Sequence, residues 1–218
     1  AGRLGDIKGE GDFITFDIHD DSIIVVREDA VTVRAFHNVC VHRGRRLVDT
    51  PSGQRNARGS ARNFTCGFHG WTYGLDGACK HVPHIDDWQG TLTEDRIRLT
   101  GVKCETWGGW IWINMDPDSV SLSEWLGVVP EMLDPYGLQN MRPRWRKWII
   151  FDCNWKVAME AFNETYHVAT THPEFNAFGQ FRGWARNQGL HSHIGYEAPK
   201  GLEEDAGKLR TGTGDARI

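Results

Sequence analysis

Two short pairs of metal-binding side chains constrain this chain more than any other feature. They are Cys40-Val41-His42 and Cys66-Gly67-Phe68-His69, and a glycine follows each pair, at Gly44 and Gly70. Two thiolates and two imidazoles make four ligands. Because two loops must bend tightly around one centre, each needs backbone freedom that glycine provides at low steric cost. The sequence therefore predicts one metal centre held between the tips of two loops.

The order of the ligands distinguishes two kinds of centre. A Cys-x-His loop and a Cys-x-x-His loop, separated by an insert, are the pattern of a Rieske [2Fe–2S] centre, in which the cysteines bind one iron and the histidines the other. A structural zinc site with two cysteines and two histidines is the alternative. Such zinc sites usually pair Cys with Cys and His with His along the chain, whereas each loop here carries one of each. The order favours iron and sulfur, and we expect a brown protein.

The residues around these ligands sharpen the match. His42-Arg43-Gly44 and His69-Gly70-Trp71 resemble the Rieske family, and more specifically the large (alpha) subunit of Rieske non-haem iron aromatic-ring-hydroxylating oxygenases. By that resemblance a [2Fe–2S] cluster is held by Cys40, His42, Cys66 and His69. Val41 and Gly67 stand where the family commonly has proline, which we expect to loosen the loops and shift the redox potential.

A second pattern runs from Asn154 to His167, where the spacing predicts one amphipathic helix. Asp152 or Asn154 can cap its first turn. Its apolar stripe, at i, i+3 and i+7, is Met159, Phe162 and Tyr166. On a second stripe, at i, i+4 and i+7, lie Glu160, Glu164 and His167. In a plain surface helix, those two carboxylates and one imidazole would be a solvated charge cluster.

The histidines His167 and His172 lie five residues apart, about 140° from a common face of a regular α-helix. A π-bulge or a helix end must therefore intervene before both can hold one metal. Pro173 gives a reason for an end, because proline disfavours helical geometry at the preceding His172.

This whole segment, from Asn-Trp-Lys at 154 through Glu-x-x-His-x4-His-Pro, resembles the iron-binding stretch of the same oxygenases. The resemblance implies that His167 and His172 ligate a mononuclear non-haem Fe(II). It makes Glu164 an acidic bridge between an iron-ligand histidine and a Rieske histidine, His69, of a neighbouring subunit. The family takes its third, carboxylate ligand from an Asp far downstream. Asp205 and Asp215 lie too close in sequence, so that ligand is unassigned and is expected beyond this chain.

The remaining pattern predicts an α+β fold of two domains. An antiparallel-β Rieske domain covers residues 1–115, and an incomplete antiparallel-sheet-plus-helix catalytic domain of the helix-grip type covers 116–218. Asp116-Pro117-Asp118 breaks the sheet at the boundary, and Ser121–Leu126 reads as a short capped helix. A surface loop is predicted at 48–62 and a hairpin at 71–77. Predicted strands are residues 12–18, 23–27, 31–36, 96–99, 102–107, 110–114 and 144–152.

Other histidines and aromatic residues carry less weight. His81 and His84 are interpreted as loop residues, because the cluster already has four ligands. Core packing is at least as good an interpretation as pocket lining for Phe175, Phe178 and Phe181. His191 and His193 would share one face of a strand.

Composition excludes some functions. The 218 residues carry a net charge of −4, which gives no electrostatic footprint for nucleic acid or membrane, and no apolar run approaches membrane-spanning length. Five cysteines is an odd number; beyond the two ligands, Cys79, Cys104 and Cys153 read as ordinary thiols of a reducing compartment. We expect a cytoplasmic protein.

The resemblance implies the terminal oxygenase component of a multicomponent ring-hydroxylating dioxygenase. Electrons from NAD(P)H would arrive through a ferredoxin or flavin reductase, and an aromatic compound would be hydroxylated with O2. The bridge between subunits implies a homotrimer, or an α3β3 assembly with a small subunit. A Rieske monooxygenase or O-demethylase is the first alternative, and a Rieske electron carrier without oxygenase activity is the second.

Overall fold

The structure is a computed structural model that describes residues 1–145, 147, 149–172 and 182–197. Contacts divide the chain into two compact units. The first contains residues 1–125 and 131–142, and the second contains 126–130 and the described residues from 143 onward. Residues 116–125 belong to the first compact unit. The domain boundary predicted after residue 115 stays a prediction.

The secondary structure is mainly short strands. The strands are β1 (Gly2–Arg3), β2 (Asp12–Ile18), β3 (Asp21–Arg27), β4 (Val33–His37), β5 (Arg58–Ser60), β6 (Phe64–Thr65), β7 (Thr72–Tyr73), β8 (Cys79–His81), β9 (Gly101–Trp107), β10 (Trp110–Asn114), β11 (Arg182–Gln188) and β12 (His191–Glu197). The α-helices are α1 (Glu94–Ile97), α2 (Leu122–Leu126), α3 (Val129–Leu133), α4 (Trp155–Glu160) and α5 (Val168–Thr171). Short 3-10 helices cover Leu4–Asp6, Ile85–Trp88, Asp134–Tyr136 and Leu138–Asn140. Among the described residues, no helix is long and apolar enough to cross a bilayer.

The first unit is built on an antiparallel sheet of seven strands, in the order β1-β10-β9-β4-β3-β2-β5. Strand β3 is buried on both faces, because Ile24 and Val26 belong to one apolar cluster while Ile23 and Val25 belong to another. This explains its continuous apolar run, since alternate residues of a strand point to opposite faces. A smaller sheet, β6-β7-β8, shares the first of these clusters through Phe64.

Most strand predictions for the first unit are confirmed. Strands β2, β3, β4, β9 and β10 lie where the alternation placed them, and β7 and β8 form the hairpin. Helix α2 begins one residue after Ser121, whose Oγ accepts the backbone N–H of Glu124 at 3.2 Å. The antiparallel sheet followed by a helix-containing second unit confirms the predicted fold class.

Three predicted elements are wrong. The predicted strand at 96–99 does not form, because residues 96 and 97 end helix α1, which has Glu94 and Asp95 in its first turn and buries Ile97. Short apolar runs do not distinguish strand from helix. The loop at 48–62 contains the edge strand β5, which pairs with β2. The described residues of 144–152 contain no strand, and Ile150 is 82% exposed there. An apolar run predicts a strand only where a partner edge is available.

The predicted helix from 154 to 167 is also corrected, because it is interrupted. Helix α4 begins at an Asn154 cap, whose side chain accepts the backbone N–H of Lys156 at 2.9 Å, and it ends at Glu160. The predicted apolar stripe is not buried, since Phe162 is 78% exposed. The Glu164 carboxylate accepts the backbone N–H groups of two following residues, which starts a separate turn instead of continuing the helix.

Candidate metal centres

The two ligand loops of the first unit have the same backbone turn. In the first, the N–H of Cys40 donates to Arg45 O at 2.8 Å, and the N–H of Gly44 donates to Cys40 O at 2.9 Å. In the second, the N–H of Cys66 donates to Trp71 O at 2.8 Å, and the N–H of Gly70 to Cys66 O at 3.0 Å. Both glycines are left-handed, with φ of 74° and 75°. Glycine adopts that conformation at low steric cost, as the sequence indicated.

Each turn presents a buried cysteine and a more accessible histidine. Cys40 and Cys66 are 1% and 3% exposed and lie in the apolar cluster that joins the two sheets. Burial raises the pKa of the Cys40 thiol, and the neighbouring Cys66 raises it further. Two adjacent buried thiols are costly to ionise alone, so they fit a cationic centre that binds thiolates.

The two imidazoles lie side by side, with ring centroids 4.7 Å apart. His69 is exposed and carries Phe68 against its ring, whereas His42 is half-buried and stacks on Trp71 at 4.9 Å. Burial lowers the pKa of His42, and the charges of His69 and Arg43 lower it further. A neutral imidazole is the form that binds metals.

The donor set therefore fits a Rieske cluster, with the thiols inside and the imidazoles towards the surface. Each iron of such a cluster takes two protein ligands. In the part of the chain that the structure describes, no three His, Cys, Asp or Glu side chains converge on one ion position.

Two residues that support the first centre carried no signal in the sequence pattern. Tyr73 is fully buried, and its hydroxyl lies 3.1 Å from the Sγ of Cys40. Asn38 is 2% exposed and braces the first loop. Its Nδ2 donates to Ser22 Oγ and Val48 O at 3.0 and 2.7 Å. Its Oδ1 accepts the backbone N–H groups of Leu47 and Val48 at 3.1 and 2.9 Å.

The candidate second centre lies in the second unit, where His167 and His172 flank helix α5. His167 precedes the helix, and His172 ends it with φ −123° and ψ 64°. The predicted helix end between the two histidines is therefore confirmed, and their ring centroids are 5.5 Å apart. Pro173, which was expected to cause this end, lies outside the described residues.

Glu164 is joined to this pair through His167. Its carboxylate contacts the Nδ1 of His167 and also accepts the backbone N–H of His167 at 3.2 Å. The hydrogen bond from His167 is the main reason why the pKa of Glu164 is lowered. A carboxylate that holds Nδ1–H fixes the tautomer and leaves Nε2 free to bind a metal.

The donors present therefore fit two ligands of a mononuclear site together with the carboxylate that orients one of them. Asp205 and Asp215, and the aromatic residues Phe175, Phe178 and Phe181, lie outside the described residues. His191 and His193 share one face of β12, as predicted.

Two protein families match successive parts of the chain. Residues 1–102 match the Rieske [2Fe-2S] domain, and residues 138–211 match the catalytic domain of the ring hydroxylating alpha subunit. These matches define the class as a Rieske protein that also carries oxygenase catalytic sequence.

Individual relatives agree with this class. The glycine betaine monooxygenase oxygenase subunit of Chromohalobacter salexigens is 32% identical over 80% of this chain and 37% of its own length. Benzene 1,2-dioxygenase subunit alpha of Pseudomonas putida is 34% identical over 78% of this chain and 38% of its own length. The crystal structure of the quaternary ammonium Rieske monooxygenase CntA with L-carnitine gives a TM-score of 0.75 and 26% identity, over 89% of this chain and 54% of that one.

The chain belongs to the family of Rieske oxygenase large subunits, whose members hold a [2Fe–2S] cluster and a mononuclear iron. It spans less than two fifths of the length of the two curated relatives described above.

Proposed function

We propose that this chain belongs to the terminal oxygenase component of a multicomponent Rieske oxygenase. The observation that carries the proposal is the presence of two different donor sets in one chain. The first pairs buried Cys40 and Cys66 with the adjacent imidazoles of His42 and His69. The second places two imidazoles at the ends of α5, with a carboxylate on one of them.

In this proposal different residues serve the two metal centres. When bound, the cluster supplies one electron at a time and the mononuclear iron supplies reduction of O2 beside a substrate. His69 is the exposed imidazole of the first set, and electrons would pass through it. His167 and His172 would hold the iron. Glu164, whose carboxylate contacts the Nδ1 of His167, would orient that imidazole and would also bridge to His69 of a neighbouring subunit. The third iron ligand remains unassigned.

The bridge requires subunits to meet head to tail, so we propose a closed ring, a homotrimer or an α3β3 assembly. A ferredoxin or flavin reductase would deliver electrons derived from NAD(P)H. A cytoplasmic location is part of the proposal, and it is supported by Cys79, Cys104 and Cys153, which form no disulfide.

Two substrate classes compete. Hydroxylation of an aromatic ring is supported by the match to benzene 1,2-dioxygenase. Both oxygen atoms of O2 would enter the ring with two electrons and two protons, giving a cis-dihydrodiol. Monooxygenation of a quaternary ammonium compound is supported equally by the relatives that carry that name. There one oxygen atom would enter the substrate, and the other would leave as water with the same electrons and protons.

A product screen separates these candidates. The full oligomeric enzyme with a reductase system would be given benzene-type aromatics, glycine betaine or carnitine, and O2 uptake and products would be measured. A cis-dihydrodiol supports the dioxygenase, whereas a hydroxylated or demethylated product supports the monooxygenase.

Iron counting tests the oxygenase against the simple electron carrier. With the third, carboxylate iron ligand present, the oxygenase should contain about three irons per chain, and a carrier about two. Zinc throughout, or the absence of metal bound by His167 and His172, would reject the oxygenase.

A further inference from the structure

Trp88 joins the first metal centre from outside both ligand loops. It ends the 3-10 helix Ile85–Trp88, and its indole lies edge-on to the His42 ring at 5.9 Å and 83°. The same indole lies edge-on to Trp71 at 5.8 Å and 79°. Because Trp71 stacks on His42 with only 7° between the ring planes, each of the three rings contacts the other two. Edge-on and stacked contacts are the favoured geometries for aromatic rings.

The backbone that delivers Trp88 is locally strained. His84 and Gln89, which flank the helix, are both left-handed without being glycine, with φ of 52° and 50°. Such residues are uncommon and persist only where the surroundings hold them. Local hydrogen bonds satisfy the segment, since Asp87 N–H donates to His84 O at 3.0 Å and Thr91 N–H to Trp88 O at 2.9 Å. Trp88 also packs against the apolar cluster that contains both cysteines, which gives a stabilising contact to offset the strain.

The aromatic contacts make the two histidines unequal. Trp71 and Trp88 enclose His42, which is half-buried. His69 is exposed, with Phe68 and His42 as its ring contacts. A small cavity of about 280 Å³ lies over this surface and is lined by His42, His69, Trp71, Pro83, His84 and Trp88. Trp88 therefore covers part of the His42 ring at the edge of this cavity.

We infer that Trp88 is a positioning residue for the [2Fe–2S] cluster, and that it acts through His42. Together with Trp71 it fixes the plane of the His42 ring and limits access of water to that imidazole, which leaves His69 as the accessible ligand. The inference rests on the proposed role of His42 as a cluster ligand. Groups outside the ligand set orient the ligands, and solvent access around a cluster affects its reduction potential.

The direction of the effect follows from charge. Two Fe(III), two sulfides and two thiolates with neutral histidines sum to zero, so the cluster gains a negative charge on reduction. Water stabilises the charged form more than an apolar neighbour does. Removal of the Trp88 ring should therefore raise the reduction potential, and it should also let a chelator remove iron faster.

The test compares Trp88→Ala with Trp88→Phe, which keeps an aromatic ring. The matched control is Ile85→Ala, in the same short helix, where the side chain is 50% exposed. Measurements on the oligomeric holoenzyme are the EPR spectrum of the reduced cluster, its reduction potential, and the rate of bleaching by a chelator. We expect Trp88→Ala to bleach roughly 10- to 100-fold faster, with altered g values and a higher potential. Trp88→Phe and Ile85→Ala should stay close to wild type.

Several results would overturn the inference about Trp88. Wild-type behaviour of Trp88→Ala overturns the inference, and so does an equal effect in Ile85→Ala or in Trp88→Phe. If Trp88→Ala does not fold, Trp88→Leu takes its place, and unchanged spectra and bleaching there overturn the inference as well. A wild-type protein without a Rieske EPR signal would instead reject the proposed function itself.

Discussion

The hydroxyl of Tyr73 lies 3.1 Å from the Sγ of Cys40, and both side chains are buried. Burial, and next the contact with Cys40, raises the pKa of Tyr73 well above its usual value, so the phenol keeps its proton. A thiolate that binds iron has no proton to give. With Cys40 as the proposed cluster ligand, the phenol would therefore be the donor and would stabilise negative charge on the sulfur.

Tyr73→Phe should lower the reduction potential of the cluster. One hydrogen bond contributes about 0.5–1.5 kcal/mol, which corresponds to about 20–60 mV for one electron. Protein-film voltammetry or an EPR-monitored redox titration would measure the change. Tyr136→Phe is the control, because that side chain is 48% exposed. An unchanged potential in Tyr73→Phe would show that the contact does not tune the cluster.

His167→Ala should remove the mononuclear iron and turnover while it leaves the Rieske EPR signal intact. The physical reason is that this site would lose one of its two imidazoles, whereas the first donor set lies in the other unit. Iron analysis should fall from about three to about two irons per chain. His81→Ala, at an exposed position in β8, is the control. Loss of both iron signals together would contradict two separate sites.

Glu164→Gln should keep both metals but slow electron transfer between them. Glutamine has nearly the same shape as glutamate but lacks the charge that holds the His167 Nδ1–H. Changes to groups that orient metal ligands commonly cost about 10- to 100-fold. Single-turnover kinetics would measure the rate, with Glu160→Gln as the control at the end of α4. Wild-type kinetics in Glu164→Gln would remove the bridge from the proposal.

Asn38→Ala should destabilise the first unit and loosen the loop that carries Cys40. The change removes a buried amide with four hydrogen bonds and leaves the Leu47 and Val48 N–H groups without that acceptor. We expect a loss of about 2–4 kcal/mol in the free energy of unfolding. Urea unfolding would measure it, with Asn63→Ala at an exposed position as the control. Equal losses in the two variants would show that the brace is not specific.

Cys104 should lower the free energy of unfolding of the protein at alkaline pH. Burial, offset in part by the N-terminal amino group, raises the pKa of this thiol to about 11. The thiol of the unfolded chain ionises near pH 8.5–9. The stability that the neutral, buried thiol gives the folded state is therefore fully present below that range and is lost as the pH rises towards about 11. A shift of about two pKa units corresponds to a loss of at most about 3 kcal/mol in the free energy of unfolding.

Unfolding at pH values of about 8 and about 10.5 measures this contribution. Cys104→Ala should lose less stability than wild type between the two pH values. Cys153→Ala, at an exposed cysteine, should behave as wild type. An identical pH dependence in Cys104→Ala would rule out burial of this thiol as the cause.

The sequence alone determined the features that depend on near neighbours in the chain. The spacing within Cys40–Gly44 and Cys66–Gly70 defines two turns, because each turn closes over a few residues and needs a left-handed glycine. Alternation placed most strands of the first unit for the same reason.

Only the tertiary structure decided which distant side chains meet at these sites. Tyr73 reaches Cys40 across 33 residues, and Trp88 reaches His42 from a short helix without any periodic pattern. The interruption before α5 was likewise not encoded in the spacing, because the Glu164 carboxylate competes for backbone N–H groups that a regular helix would use. Local pattern fixes turns and strands, whereas these contacts depend on packing between segments that are far apart in sequence.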